Sequence, residues 1–219
     1  MDESWDNLSS IWSSTEEILY IISNARGETP RDGVLLYAKP YSGQLEKLLA
    51  SGSINLEDEE SLGIFLKKTQ LQSRFFSINF DNIGKEKNTI EIRLPNGTVD
   101  AETWIQNINL FGGIVKAAEY LARIQIKSKN ERTESETNML ESFKRLTNKE
   151  TSQLDKLEEL LFLTIAEENR DIYRKRYGIN SILIERKQKM QKHISKSISG
   201  NTVSLTNVRR KSICMLENR

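Results

Sequence analysis

Cysteine is nearly absent from this chain: Cys214 stands alone among 219 residues. An internal disulfide framework and any multi-cysteine metal site are thereby excluded, and a position so near the C-terminus argues against a catalytic thiol. Histidine is equally scarce. His193 lies in the basic stretch RKQKMQKHISK, which excludes zinc sites built from several imidazoles and speaks against Ser/His/Asp chemistry. No apolar run approaches the roughly eighteen residues that span a bilayer. The acidic opening MDESWDNLSS lacks the basic-then-apolar order of a secretory signal, so cytoplasmic residence is the expectation. Chemistry here must draw on carboxylates, lysines and arginines.

What is present is charge, unevenly placed. From Arg186 to Arg219 nine Lys/Arg face the single acid Glu217, a net of +8 within a whole-chain +1, which leaves −7 on residues 1–185. Such a tail could touch nucleic acid. Its position favours a solvated, flexible end instead.

Hydrophobic spacing predicts an opening helix with Trp5, Leu8, Trp12, Leu19 and Ile22 near one stripe and Gly27 as its C-cap. Within it, Ser13 with Glu16 or Ser14 with Glu17 has the spacing of a capping box. Short helices are expected over 44–50 and 59–68. Two strand-like segments follow, RFFSINF (74–80) and TIEIRL (89–94), joined by DNIGKEKN as a hairpin connection. After LPNGT, Asp100 can cap a long helix through AETWIQNINLFGGIVKAAEYLARIQ, with Trp104, Ile108, Phe111, Val115, Ala118 and Ala122 as the stripe that covers the sheet. Gly112 and Gly113 each cost about 1 kcal/mol there, so close approach of another backbone is expected. A polar connecting segment leads to LDKLEELLFLTIAEENRDIYRKRYGIN, one or two amphipathic helices ending at Gly178. The fold class is α+β, an antiparallel sheet covered by helices with a helical C-terminal region.

The chemistry concentrates in NTIEIRLPNGTVD. Residues two apart in a strand project from one face about 6.8 Å apart, so Thr89, Glu91 and Arg93 share one side, and Ile90, Ile92 and Leu94 the other. Glutamate is a hard oxygen ligand suited to Mg²⁺, and arginine's planar fork suits phosphate or carboxylate. A solvent-facing Glu/Arg pair on an antiparallel sheet has the same pattern.

TIEIRLPNGTVDAETW, the upstream RFFSIN, the earlier RDGVLLYAKP and the later RY-x-x-N block occur in order over about residues 8–185, and in this the chain resembles the amidoligase family. The resemblance implies an ATP-dependent carboxylate–amine ligase with a glutamine-synthetase-like fold, using ATP and Mg²⁺ on a peptide or amino-acid substrate. It implies Glu91 as metal ligand, Arg93 holding the γ-phosphate or the activated carboxylate, Arg74 and Asn79 as further catalytic residues, and Arg31 and Lys39 near the anionic groups. Strict alternation sets Arg74 and Asn79 on opposite faces, so either a bulge intervenes or one of them is structural. It divides the chain into a catalytic part (1–125), a helical extension (126–185) and the basic tail (186–219). Members of this fold begin with a strand of closely spaced glutamates, which DESWD does not resemble. The implied chain is therefore an amidoligase without its N-terminal part, short of some metal ligands, with a separately encoded fragment as a possible partner.

Overall fold

The computed structural model describes residues 3–30, 38, 40–42, 76–79, 86 and 89–192. The expected helices over 44–50 and 59–68 lie outside these residues. The first helix, α1, spans Glu3–Ile22. It buries Leu8, Ile11, Trp12, Thr15, Ile18, Leu19 and Ile22, the i, i+3, i+4 spacing that lines one face of a helix. Trp5 is half-buried at its edge. The strands are shorter than the sequence suggests. β1 (Ile78–Asn79) and β2 (Glu91–Ile92) pair antiparallel, Ile78 opposite Ile92 and Asn79 opposite Glu91. Among the described residues this is the whole sheet. Among the described residues the expected α+β class takes the form of helices around a two-stranded antiparallel ribbon.

Helix α2 covers Ala101–Gln125, and Asp100 caps it as the sequence predicts, accepting from the amides of Glu102 and Thr103 at 3.2 and 3.1 Å. These are two of the orphan donors that any helix start leaves. Along α2, Leu110, Phe111, Ile114, Ala117, Ala118 and Leu121 are buried. Trp12 of α1 stacks on Phe111, ring centroids 5.9 Å apart. The small Ala118 lets α1 close in, and Asn7 donates to the Ala118 carbonyl at 3.3 Å.

The polar segment after α2 folds into α3 (Glu134–Thr147), whose start is closed by a Thr133/Glu136 capping box. α4 spans Gln153–Thr164 behind its Ser152 cap. Residues 170–192 are helical (α5), so the last helix runs on past Gly178 rather than ending there. Gly178 has open space around it, and nothing at that point interrupts the ladder. Leu140, Leu146, Leu157, Leu160, Leu161 and Tyr173 join α3, α4 and α5 to the core of α1 and α2. Among the described residues no helix is long and apolar enough to cross a membrane.

The glycines separate by surroundings. A Cβ at Gly113 would run into the Thr164 carbonyl, the close approach expected for this pair, whereas Gly112 faces open space. Gly27 is not the cap of α1, which ends five residues earlier. It takes a φ of +85° in the turn closed by Glu28 N–H to the Ala25 carbonyl, a conformation that glycine adopts without steric cost.

Candidate functional site

Pairing of β1 with β2 brings three of the predicted residues together. Asn79 Nδ2 donates to Glu91 Oε2 at 3.0 Å, and Arg93 Nη2 donates to the same oxygen at 2.8 Å. The Arg93 hydrogen bond above all, with lesser help from the Asn79 bond and the Arg93 charge, holds the Glu91 carboxyl below its ordinary range against the opposing effect of burial. Asn79 is buried and Glu91 exposed, so a buried amide and the Arg93 guanidinium hold a carboxylate that reaches solvent. The amide N–H of Arg93 donates to the Ser77 carbonyl at 2.9 Å and continues the register past Ile92.

Glu91 and Arg93 of this cluster line, together with Ile90 and Ile92, a cleft of about 910 Å³. The loop Pro95–Thr98 and Trp104, Ile108, Phe111 and Val115 of α2 also line it. Trp104 and Ile108 were expected under the sheet. They are 59% and 60% exposed instead. The buried face is rotated toward Thr103, Gln106, Asn107 and Leu110 by the packing of α1 and α5.

The cleft is fixed by polar bonds around the end of α1. Asn24 Oδ1 accepts from the Asn96 amide at 3.0 Å, and Asn96 Nδ2 donates to the Thr29 carbonyl at 3.0 Å, which anchors the Pro95–Thr98 loop. Asn107 Nδ2 reaches the Ser23 carbonyl at 2.8 Å. From α5, Arg176 donates to the Ile22 carbonyl at 2.9 Å and to Gln106 Oε1, while Asn180 donates to the carbonyls of Ile21 and Ala25 at 3.0 and 3.2 Å. The RY-x-x-N block therefore closes the C-terminal carbonyls of α1, the groups a helix end leaves without partners. It supports the cleft without lining it.

Sequence reasoning missed Glu16. The expected capping box is absent: Ser13 Oγ donates to the Ser10 carbonyl inside α1, and Glu16 points into the core at 3% exposure. Its carboxylate accepts from Tyr41 N (2.7 Å), Ser42 N (2.9 Å), Ser42 Oγ (2.6 Å) and Ser77 Oγ. Trp12 Nε1 donates to the same Ser77 hydroxyl at 3.0 Å. Burial first, then the Glu16 charge, push the Tyr20 hydroxyl up from its ordinary value. The signal was available, since Glu16 lies four residues after Trp12 and three before Leu19, on the apolar stripe.

Arg31, Lys39 and Arg74 lie outside the described residues. Among the described residues no group of three His, Cys, Asp or Glu side chains could hold a metal ion, and Glu91 is the one carboxylate among those lining the cleft. A carboxylate (Glu91) and a guanidinium (Arg93) thus line a cleft whose other lining residues are largely apolar, Ile90 and Ile92 of the strand among them. Residues 31–115 match the model of the family described as Putative amidoligase enzyme. That segment contains Arg31, Lys39, Arg74, Asn79, Glu91 and Arg93 together with α2 as far as Val115. No curated protein and no solved structure matches the chain.

Proposed function

We propose that this chain forms one side of the cleft of an ATP-dependent carboxylate–amine ligase. The observation that carries the reading is the Asn79–Glu91–Arg93 cluster, whose Glu91 and Arg93 line a large cleft, inside the segment that matches the amidoligase model. A carboxylate resists amide formation because its charge repels an amine and its oxygen is a poor leaving group. Transfer of the γ-phosphoryl group to a carboxylate oxygen, with departure of ADP, gives an acyl phosphate. Attack of the amine on that carbonyl carbon expels phosphate and leaves the amide.

Arg93 would hold the anionic group at the cleft wall, as a planar fork matched to carboxylate or phosphate oxygens. Asn79 orients the Glu91 carboxylate through the bond to Oε2. Glu91, kept ionised by its two donors, would serve as a protein ligand to Mg²⁺. One carboxylate suffices when the substrate's phosphates and water complete the shell. Mg²⁺ when bound supplies charge neutralisation at the phosphates. Arg31, Lys39 and Arg74 are assigned to the anionic groups and to catalysis by family resemblance alone, and cytoplasmic residence belongs to the same proposal.

Glu91→Gln and Arg93→Ala are each expected to abolish amine-dependent release of ADP. Full rates in both variants would remove these residues from the reaction. A second reading, a non-catalytic interaction module of amidoligase ancestry, is favoured by the single carboxylate among the described lining residues. It predicts no change in Tm with Mg-ATP, whereas a ligand bound by the folded state raises Tm by mass action.

A further inference from the structure

The Asn79–Glu91–Arg93 cluster stands on two strands of two residues each, and a lone two-stranded ribbon is marginal in water. Its register needs a support outside the ladder, because a slip of one residue would turn Asn79 to the face away from Glu91. Burial of Ile78 favours one face of β1, but apolar packing is non-directional and does not fix position along the strand. The fixed point is Ser77. It is wholly buried, and its carbonyl accepts from the Arg93 amide at 2.9 Å, one step beyond the Ile78–Ile92 pair. Its hydroxyl donates to Glu16 Oε1 and accepts from Trp12 Nε1 at 3.0 Å, so β1 is docked on α1 through the residue that precedes it.

We propose that Glu16 is a positioning residue for the candidate site: by holding Ser77 it fixes the register that sets Asn79 opposite Glu91. The proposal rests on the ligase reading for the purpose of that cluster, while its geometry stands apart from any reaction. Glu16 lies on α1, outside the residues 31–115 that match the amidoligase model. Its carboxylate is itself immobilised, by the amides of Tyr41 and Ser42 at 2.7 and 2.9 Å and by the Ser42 hydroxyl at 2.6 Å. A charged acceptor held in this way makes the stronger of the two bonds to the Ser77 hydroxyl. The neighbouring turn of α1 reaches α2 as well, since Trp12 stacks on Phe111, a lining residue of the cleft. One buried carboxylate thereby ties the strand of Asn79 to the helix that packs beneath the cleft-lining α2.

The test is amide hydrogen exchange on the full chain, read at Arg93 and at Leu110 in the buried part of α2. Ser77→Ala removes the hydroxyl and keeps the backbone. A loosened register should then appear as exchange at Arg93 about tenfold faster beyond any change at Leu110, the effect of about one hydrogen bond. Ser42→Ala takes a bond from the same carboxylate without touching β1, so it should lower Tm yet leave Arg93 in step with Leu110. Trp12→Phe removes the indole donor and should also leave the two in step. Glu16→Ala should match or exceed Ser77→Ala, and where it fails to fold the two serine variants decide. Exchange at Arg93 that only tracks Leu110 in Ser77→Ala overturns the proposal, and so does a selective change as large in Ser42→Ala or Trp12→Phe. The site itself is read by NMR titration of the Glu91 carboxyl, which Ser77→Ala should shift as far as Asn79→Ala does; a Glu91 titration untouched by Ser77→Ala overturns the positioning role as well. The ligase reading is scored separately by ADP release. A selectively loosened Arg93 with no ADP release from the wild type sinks only the ligase, and wild-type ADP release with no selective change at Arg93 sinks only the role of Glu16.

Discussion

Glu16 and Glu91 are the same residue in opposite circumstances. Glu16 is buried, with neutral donors from Tyr41, Ser42 and Ser77 around it; Glu91 is exposed and held by Arg93 and Asn79. A charge taken out of water is tolerated only where hydrogen bonds replace its hydration, and those around Glu16 include two backbone amides that movement of the chain alone could withdraw. Glu91 keeps its water and is held by side chains that can turn toward a ligand. One carboxylate staples the fold, and the other remains available for chemistry.

The largest expected effect breaks the first half of that contrast. Glu16→Ala leaves the Tyr41 and Ser42 amides and the Ser42 and Ser77 hydroxyls without their acceptor. At about 1–3 kcal/mol for each buried donor left unsatisfied, partly relieved by water, the loss should total about 3 kcal/mol or more. Denaturant unfolding measures it as a lower midpoint. Glu91→Ala, by contrast, should leave the midpoint almost unchanged, because a pair so exposed is screened by solvent. Equal destabilisation by the two substitutions would dissolve the distinction between staple and site.

A second contrast lies within α2. Gly113→Ala sets a methyl against the Thr164 carbonyl and must push α2 and α4 apart, at about 1–3 kcal/mol. Gly112→Ala meets no atom and gains about 1 kcal/mol of helix propensity. Thermal melts of the two variants should therefore move in opposite directions. Shifts of the same sign would mean that the packing of α2 on α4 does not set the position of the apolar cleft wall.

How much of this was legible follows the range of the interactions. Local signals read correctly: the Asp100 cap, the apolar stripe of α1, and Glu91 with Arg93 on one face of a strand are set by residues a few positions apart. The antiparallel pairing of 78–79 with 91–92 was legible too, since each segment is bounded by polar residues. Orientation of α2 was not. Trp104 and Ile108 carry the spacing of a buried face, but the packing of α1 and α5 buries the side of α2 that holds Thr103, Gln106, Asn107 and Leu110 and leaves them exposed. Glu16 was misread because Ser13 and Glu16 satisfy a local pattern, while the partners that decide its role are 25 to 61 residues away. The Arg176 and Asn180 bonds to the end of α1 span over 150 positions, beyond any local reading.

The smallest effect sharpens the second half of the contrast. Because the Arg93 and Asn79 bonds lower the Glu91 pKa in the folded protein, the unfolded chain takes up the proton first as pH falls. The stabilisation is therefore complete above the ordinary carboxylate range, constant through neutrality, and lost only as pH drops through the depressed folded value. A titration of the side-chain carboxyl by NMR should place Glu91 below its ordinary range in the wild type and return it toward that range in Arg93→Ala. Asn79→Ala should produce a smaller rise, since the guanidinium makes the stronger contribution. A Glu91 that titrates identically in all three proteins would mean that the ion pair does not persist in solution, and the carboxylate would then lack the fixed orientation that a metal ligand in this cleft requires.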